Sequence, residues 1–413
     1  MSGMAGQGAD PAAVAALLAE VEQDGDAAIR RLSERFDAAA PASLRIDAAA
    51  LDAAVAGLDP ADRAALERAH RNIRVVAEAQ RGALGGFRVE VEPGVVIGQR
   101  VIPIERVACY VPGGRHPLPS TVLMTVTPAK VAGCPFVAVF SPPRFGGSPH
   151  PAILAAARIA GADAVFAIGG VQAIGAAAYG SETVPRCDLV VGPGNAWVTE
   201  AKRQVFGRLG IDGVAGPSEV LVLADSSADP ERVAADLLAQ AEHDTDARAL
   251  LATTDPSLPA RVEAAIARQL ADLPTAETAR AALAASGAAI VVADRDALLA
   301  LSDEKAPEHL HLHLRDAAEV ADAVRCYGAV FVGEHAAEVF GDYCAGSNHV
   351  LPTAGAARYT GGLSVATFCR LAAFQEMDAH GAAALAPVAE RMGRLEGLPA
   401  HARAAALRSG PAG

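Results

Sequence analysis

The sequence predicts an α/β protein with two Rossmann-like parallel-sheet domains and helical N- and C-terminal extensions. Three observations carry this. From Arg106 onward short apolar runs alternate with helical stretches, the rhythm of parallel strands joined by covering helices. The 413 residues suffice for two to three domains of ordinary size. Hydrophobic residues make up 52% of the chain but aromatics only 4%, so the cores must be built from Ala, Val, Leu and Ile.

The elements follow in order. Residues 11–36 place Val14, Leu17, Leu18, Val21, Ile29 and Leu32 near helical spacing and read as an amphipathic helix. Asp59-Pro60, an N-cap followed by proline at the first helical position, opens a second helix running to about Gln80. The period then changes, and residues 87–104, turning at Pro93-Gly94, read as a β-hairpin. Strands are expected at 107–111, 136–141, 164–168 and 189–191, with helices at 120–132, 151–160 and 172–179 between them. Further strands are expected at 220–224, 249–253, 289–292 and 330–332. Residues 365–408 read as helical, without a strand, docking elsewhere.

The resulting domains are an N-terminal helical segment (1–35), a first Rossmann-like domain from 36–105 and 220–364, a second at 106–219, and a C-terminal helical extension (365–413). The last residues, 409–413, read as loose.

Composition excludes several classes. A net charge of −13 argues against nucleic acid or an anionic membrane as partner. Neither an N-terminal basic-then-apolar segment nor an apolar run of about 18 residues occurs, so neither a signal peptide nor a membrane span is expected, and the chain reads as cytoplasmic. The six cysteines stand at 109, 134, 187, 326, 344 and 369, with no CxxC pair for metal or redox work.

Three glycine-bearing loops, 111–114, 169–172 and 192–195, stand where a strand ends and a helix begins. Glycine there lets backbone N–H groups and a helix N-terminus approach an anion such as pyrophosphate. None is a GxGxxG, and ordinary βα turns also use glycine, but three in one domain favour a binding face. Tyr110, Gln172 and Asn195 sit at these loop edges, placed to orient a cofactor.

Polar clusters lie further along. Gln240 and His243 are three apart and share a helical face, so an amide oxygen and an imidazole can point at one cation, although a solvated helix end with a histidine favoured by the dipole reads the same way. In the run from Glu308 to His313 the alternation is strand-like and puts His309, His311 and His313 on one face. That span reaches roughly 13 Å at ~3.3 Å per residue, too long for one metal ion to take all three. The economical reading is an acid/base pair, Glu308 and His309, with His311 and His313 on a solvent or interface face. Asp342 and His349 share a polar, glycine-bearing loop in which Asp342 is either a hard ligand or a turn cap. His401 alone reads as a surface residue, and without HExxH or CxxC no local motif demonstrates a zinc site.

Taken together, eight segments resemble the histidinol dehydrogenase family, in its order and at compatible spacing, over residues 11–408. They are YVPGGRHPLPSTVLM (110–124), GGVQAIGAAAYGSETVP (169–185), GPGNAWVTEAKRQVFG (192–207), GPSEVLVLAD (216–225), LLAQAEHD (237–244), APEHL (306–310), GDYCAGSNHVLPT (341–353) and LEGLPAH (395–401). The resemblance implies NAD-dependent four-electron oxidation of L-histidinol to L-histidine. It implies one Zn2+ per subunit on Gln240, His243, Asp342 and, from the other subunit of a homodimer, His401. It implies that these four, with Ser218, His309 and Glu396, contact substrate, His349 being a softer candidate. Tyr110, Gln172 and Asn195 match its NAD contacts, and Glu308 and His309 its catalytic pair. The domain of 106–219 would hold NAD, and the other would hold zinc and substrate. The histidines after His309 depart from the family's usual pattern. Two alternatives are a paralogous zinc and NAD dehydrogenase of another small amino or sulfonated alcohol, and a zinc hydrolase using Glu308 and His309. The hydrolase would not need the three glycine-bearing loops.

Overall fold

A computed structural model of the protein describes residues 9–37, 41, 43–113 and 116–410. Residues 1–8, Gly114 and residues 411–413, on which some of the readings above fall, lie outside that set.

Along the chain come α1 (Pro11–Asp37), β1 (Arg45–Ile46), α2 (Ala48–Ala56), α3 (Pro60–Ala83), β2 (Phe87–Glu92), β3 (Val95–Pro103), β4 (Arg106–Tyr110), α4 (Pro119–Ala132), β5 (Phe136–Ser141), α5 (Pro151–Ala160), β6 (Ala164–Ala167), α6 (Gly170–Tyr179), β7 (Leu189–Val191), α7 (Ala196–Val205) and β8 (Gly210–Ile211). They are followed by β9 (Glu219–Ala224), α8 (Pro230–Ala241), β10 (Arg248–Thr253), α9 (Leu258–Gln269), α10 (Ala276–Ser286), β11 (Ala288–Val291), α11 (Arg295–Lys305), β12 (His309–His313), α12 (Ala317–Ala323), β13 (Ala329–Val332), α13 (Glu338–Tyr343), β14 (Cys369–Met377), α14 (Ala379–Leu395) and α15 (Pro399–Ala406).

The chain divides into two compact units. The larger, residues 1–79 and 104–368, holds two sheets. The first has the order β1-β6-β5-β4-β7-β8, parallel except for the β1–β6 pair. One face packs Ala108, Tyr110, Phe140 and Phe166 against α1, α6 and α7. The second has the order β11-β10-β9-β12-β13 and is parallel throughout. Its inner strands β9, β10 and β12 bury both faces. Val220 and Val222 of β9 face the side of α8, α9 and α10, while Leu221 and Leu223, with Leu310 and Leu312 of β12, face the side of α11 and α12. Burial on both faces explains why these strands read as near-continuous apolar runs.

In each sheet the first strand of the unit, β4 or β9, lies between its second and its fourth strand. That is a doubly wound order with a switch point beside the first strand. Helix starts follow local chemistry. Asp229 accepts from the Glu231 amide ahead of Pro230 in α8, and Asp294 caps α11 through the Ala297 amide.

The smaller unit comprises residues 80–103 and 369–413. The hairpin β2–β3 is present as expected, and β14 pairs antiparallel with β3, from Cys369 opposite Pro103 to Met377 opposite Val95. This corrects the reading of residues 365–408 as strand-free. Residues 369–377 carry alanines and charges that hide a strand, and a partner more than 250 positions earlier overrides local propensity. The helical reading holds from α14 onward. Residues 36–105 also differ from expectation. β1 joins the first sheet rather than the second, and residues 87–103 pair with β14. Among the described residues, no helix is long and apolar enough to cross a membrane. None of the six cysteines is in a disulfide.

Candidate active site

At the switch point of the first sheet, β4 ends at Tyr110 and β7 at Val191, so the loops that follow them flank one crevice at the carboxyl ends. Gly192 has φ 113°, and a Cβ there would collide with the Tyr110 carbonyl oxygen, so the close approach of the two strand ends demands glycine. The Tyr110 hydroxyl accepts from the Gly170 amide at 3.2 Å, and burial pushes its pKa up to about 12. Gln172 donates to Asp37 at 3.2 Å. Asn195 caps α7, its Oδ1 accepting from the Trp197 and Val198 amides at 3.1 Å each. All three expected cofactor residues line a single cleft of about 2360 Å³.

The same cleft is lined by Ser218, His243, Glu308 and His349. It therefore joins the crevice of the first sheet to the second sheet, but at the opposite strand ends. Ser218 precedes β9, Glu308 precedes β12, and His309 is the first residue of β12. α8 runs back from the far end of β9 and brings Gln240 and His243 to this same amino end.

Glu308 is almost fully buried. Its Oε2 accepts from the Ser218 hydroxyl and the Glu219 amide, each at 2.9 Å. Burial nevertheless pushes its pKa well above the carboxylate range, outweighing both hydrogen bonds. His309 is equally buried. Its Nδ1 lies 3.3 Å from the Glu219 carbonyl oxygen, which only accepts, so Nδ1 carries the proton and Nε2 is left as a free lone pair. Burial lowers the His309 pKa against the opposing pull of Glu338, which favours the neutral ring. The expected acid/base pair is thus two buried groups sharing the strand entrance, their nearest N and O 3.7 Å apart.

Asp342 lies on the short helix α13, not in a turn, and makes no cap; the reading of it as a loop residue is corrected. Its carboxylate stands 3.8 Å from His309 Nε2. One helical turn earlier, Glu338 is also buried. His243, Glu338 and Asp342 each present a ligand atom within 4.8 Å of the others. Burial, with repulsion from Glu338, raises Asp342 to about 8. Two carboxylates and an imidazole so arranged call for a cation. Gln240 agrees with that. Its side chain is 0% exposed, and neither its amide oxygen nor its nitrogen has a partner among the described residues. These residues fit a metal ion.

Glu338 escaped the sequence reading. The available signal was its i, i+4 relation to Asp342, which puts two carboxylates on one helix face. His349 is held between elements, with Nδ1 2.9 Å from the Asp342 carbonyl and Nε2 3.1 Å from the Thr121 hydroxyl, and burial lowers its pKa to about 4. Glu396 and His401 belong to the smaller unit, at the end of α14 and on α15, and both are exposed there.

His311 and His313 are not on a solvent or interface face, as expected from their spacing. They are 1% and 4% exposed. β12 is an interior strand between β9 and β13, and its histidine face meets α8, where Asp236 lies 3.1 Å from His311 Nδ1 and 2.7 Å from His313 Nε2.

Two doubly wound sheets sharing one cleft, with glycine-bearing loops at a switch point, are suited to holding a dinucleotide. The chain belongs to the histidinol dehydrogenase family, whose family model matches residues 7–409. It is 48% identical over 402 residues to a histidinol dehydrogenase of Xanthomonas axonopodis pv. citri, covering 97% of this chain and 93% of that protein. It is 43% identical over 397 residues to a sulfopropanediol 3-dehydrogenase of Ruegeria pomeroyi, covering 96% and 91%. A crystal structure of histidinol dehydrogenase from Elizabethkingia anophelis superimposes with a TM-score of 0.92 at 36% identity, covering 97% of this chain and 93% of that one.

Proposed function

We propose that the protein oxidises L-histidinol through L-histidinal to L-histidine, the last step of histidine biosynthesis, using two NAD and one water. The observation that carries this reading is the single cleft lined by Tyr110, Gln172 and Asn195 on one wall and by Ser218, His243 and Glu308 on the other. A dinucleotide along the first wall would put its nicotinamide against a substrate held at the second.

Gln240, His243 and Asp342 would hold zinc, completed by His401 from a second copy in a homodimer. When bound, the zinc would orient the substrate's imidazole and amino nitrogens. His309 accepts the carbinol proton at Nε2 as the neighbouring carbon gives up its hydride. Its neutral ring and free lone pair suit that role. Glu308 takes a proton from water as the water adds to the aldehyde, while His309 returns its proton to the aldehyde oxygen and is free again. The raised pKa of Glu308 makes it a stronger base than an exposed carboxylate. His309 then accepts the hydrate's proton as the second hydride leaves. Ser218 holds Glu308 in place, and Glu396 of the second copy would contact the substrate.

The test is stoichiometric. Purified protein with L-histidinol and NAD should release two NADH per histidinol and form histidine. Turnover of a sulfonated propanediol with none of histidinol would transfer the reading to the relative that carries that name.

A further inference from the structure

We infer that Asp236, His311 and His313 form a second site for a divalent transition-metal ion, separate from the Gln240, His243 and Asp342 group. One ring nitrogen of each histidine and one oxygen of Asp236 lie within 4.8 Å of one another. Both imidazoles converge on the same oxygen, Oδ2, rather than sharing the two carboxylate oxygens between them. Two imidazoles and a carboxylate are the donor set of zinc and its first-row neighbours.

The placement follows from the fold. His311 and His313 are two apart on β12 and so share one face of the strand. Asp236 stands one helical turn before Gln240 on α8, which covers that face. The two groups of donors therefore lie in succession along one helix–strand seam.

The surroundings point the same way. The outer nitrogen of His311 faces Glu338 Oε2 at 3.5 Å, the carboxylate–histidine arrangement that orients a metal-binding imidazole. Among the described residues, only histidines form ion pairs with Asp236 or Glu338, so no Lys or Arg balances two carboxylates in this interior. A divalent cation would. An interior strand would ordinarily carry apolar residues at 311 and 313, so histidines there need polar partners, which Asp236 and Glu338 supply and a bound cation would complete.

The experiment counts metal and does not depend on the substrate reading. The full-length untagged chain is stripped with a chelator and dialysed against buffered zinc. Bound zinc is then measured by plasma mass spectrometry against protein concentration. Two equivalents per chain are expected in the wild type, and one in each of Asp236→Asn and the His311→Gln/His313→Gln double variant, with folding checked by circular dichroism. Asp236→Asn is nearly isosteric and carries the count if the double variant does not fold. One equivalent in the wild type that Asp236→Asn retains overturns the second site, as do two equivalents retained in both variants. If that single equivalent is lost in His243→Asn, the proposed catalytic metal stands and only the second site falls.

Discussion

Replacing Glu308 by glutamine should separate the two oxidations. The side chain keeps its shape, and the amide oxygen can still accept from Ser218 and Glu219, the two donors that hold Oε2 at 2.9 Å. What is lost is the proton acceptor for water. General-base catalysis contributes about 10²–10⁴-fold, or roughly 2.7–5.4 kcal/mol at 1.36 kcal/mol per decade. The aldehyde-to-acid step should slow by that factor, while the alcohol-to-aldehyde step, served by His309, should slow by less than about tenfold. The assay follows NADH in a single turnover with L-histidinol, then separately with L-histidinal. The yield should fall from two NADH towards one on the time scale of the first step. Two NADH at near wild-type rate, or equal slowing of the two steps, would refute the division of labour between Glu308 and His309. Glu308→Ala is the poorer probe. It orphans two buried donors at about 1–3 kcal/mol each and confuses chemistry with stability.

Three further outcomes can be checked. Gly192→Ala forces a side chain into a positive-φ position against Tyr110, and should cost roughly 2–6 kcal/mol in urea unfolding and weaken NAD binding; a loss under about 1 kcal/mol would mean that the strand ends are not in contact. His349, held neutral to about pH 4 when folded against 6.5 when unfolded, contributes stability that is complete above 6.5 and lost as the pH falls towards 4. The loss should approach roughly 3 kcal/mol and vanish in His349→Asn, and an unchanged acid limb in that variant would contradict it. If the site is shared between copies, Gln240→Ala and His401→Ala chains, inactive alone, should regain about a quarter of wild-type activity when mixed, because half the dimers then carry one intact site; no recovery would exclude ligation across the subunits.

Much of the fold was legible because two buried parallel sheets write themselves as apolar runs. The strands at 136–141 and 189–191 have the expected bounds. β14 was not legible, because a largely exposed strand with adjacent alanines and charges towards both ends carries no such signature. α2, in which only Leu51 is buried, was missed for the same reason. Glu308 and His309 could be found as a pair because they are adjacent, whereas Glu338 comes to His309 only through the packing of α13. The burial of His311 and His313 was misjudged because strand alternation tells which residues share a face, but not whether a helix covers it.

The two sheets have the same strand order but meet the cleft with opposite ends, and this gives its walls opposite polarity. On the first wall α6 and α7 begin, at Gly170 and Ala196, so their dipoles present partial positive charge to an anion such as a pyrophosphate. On the second wall α8 and α11 end, at Ala241 and Lys305, just before His243 and Glu308, so their dipoles present partial negative charge where a cation and its carboxylates are gathered. A duplicated topology turned end for end thus sorts an anionic cofactor from a cationic centre before any side chain is chosen.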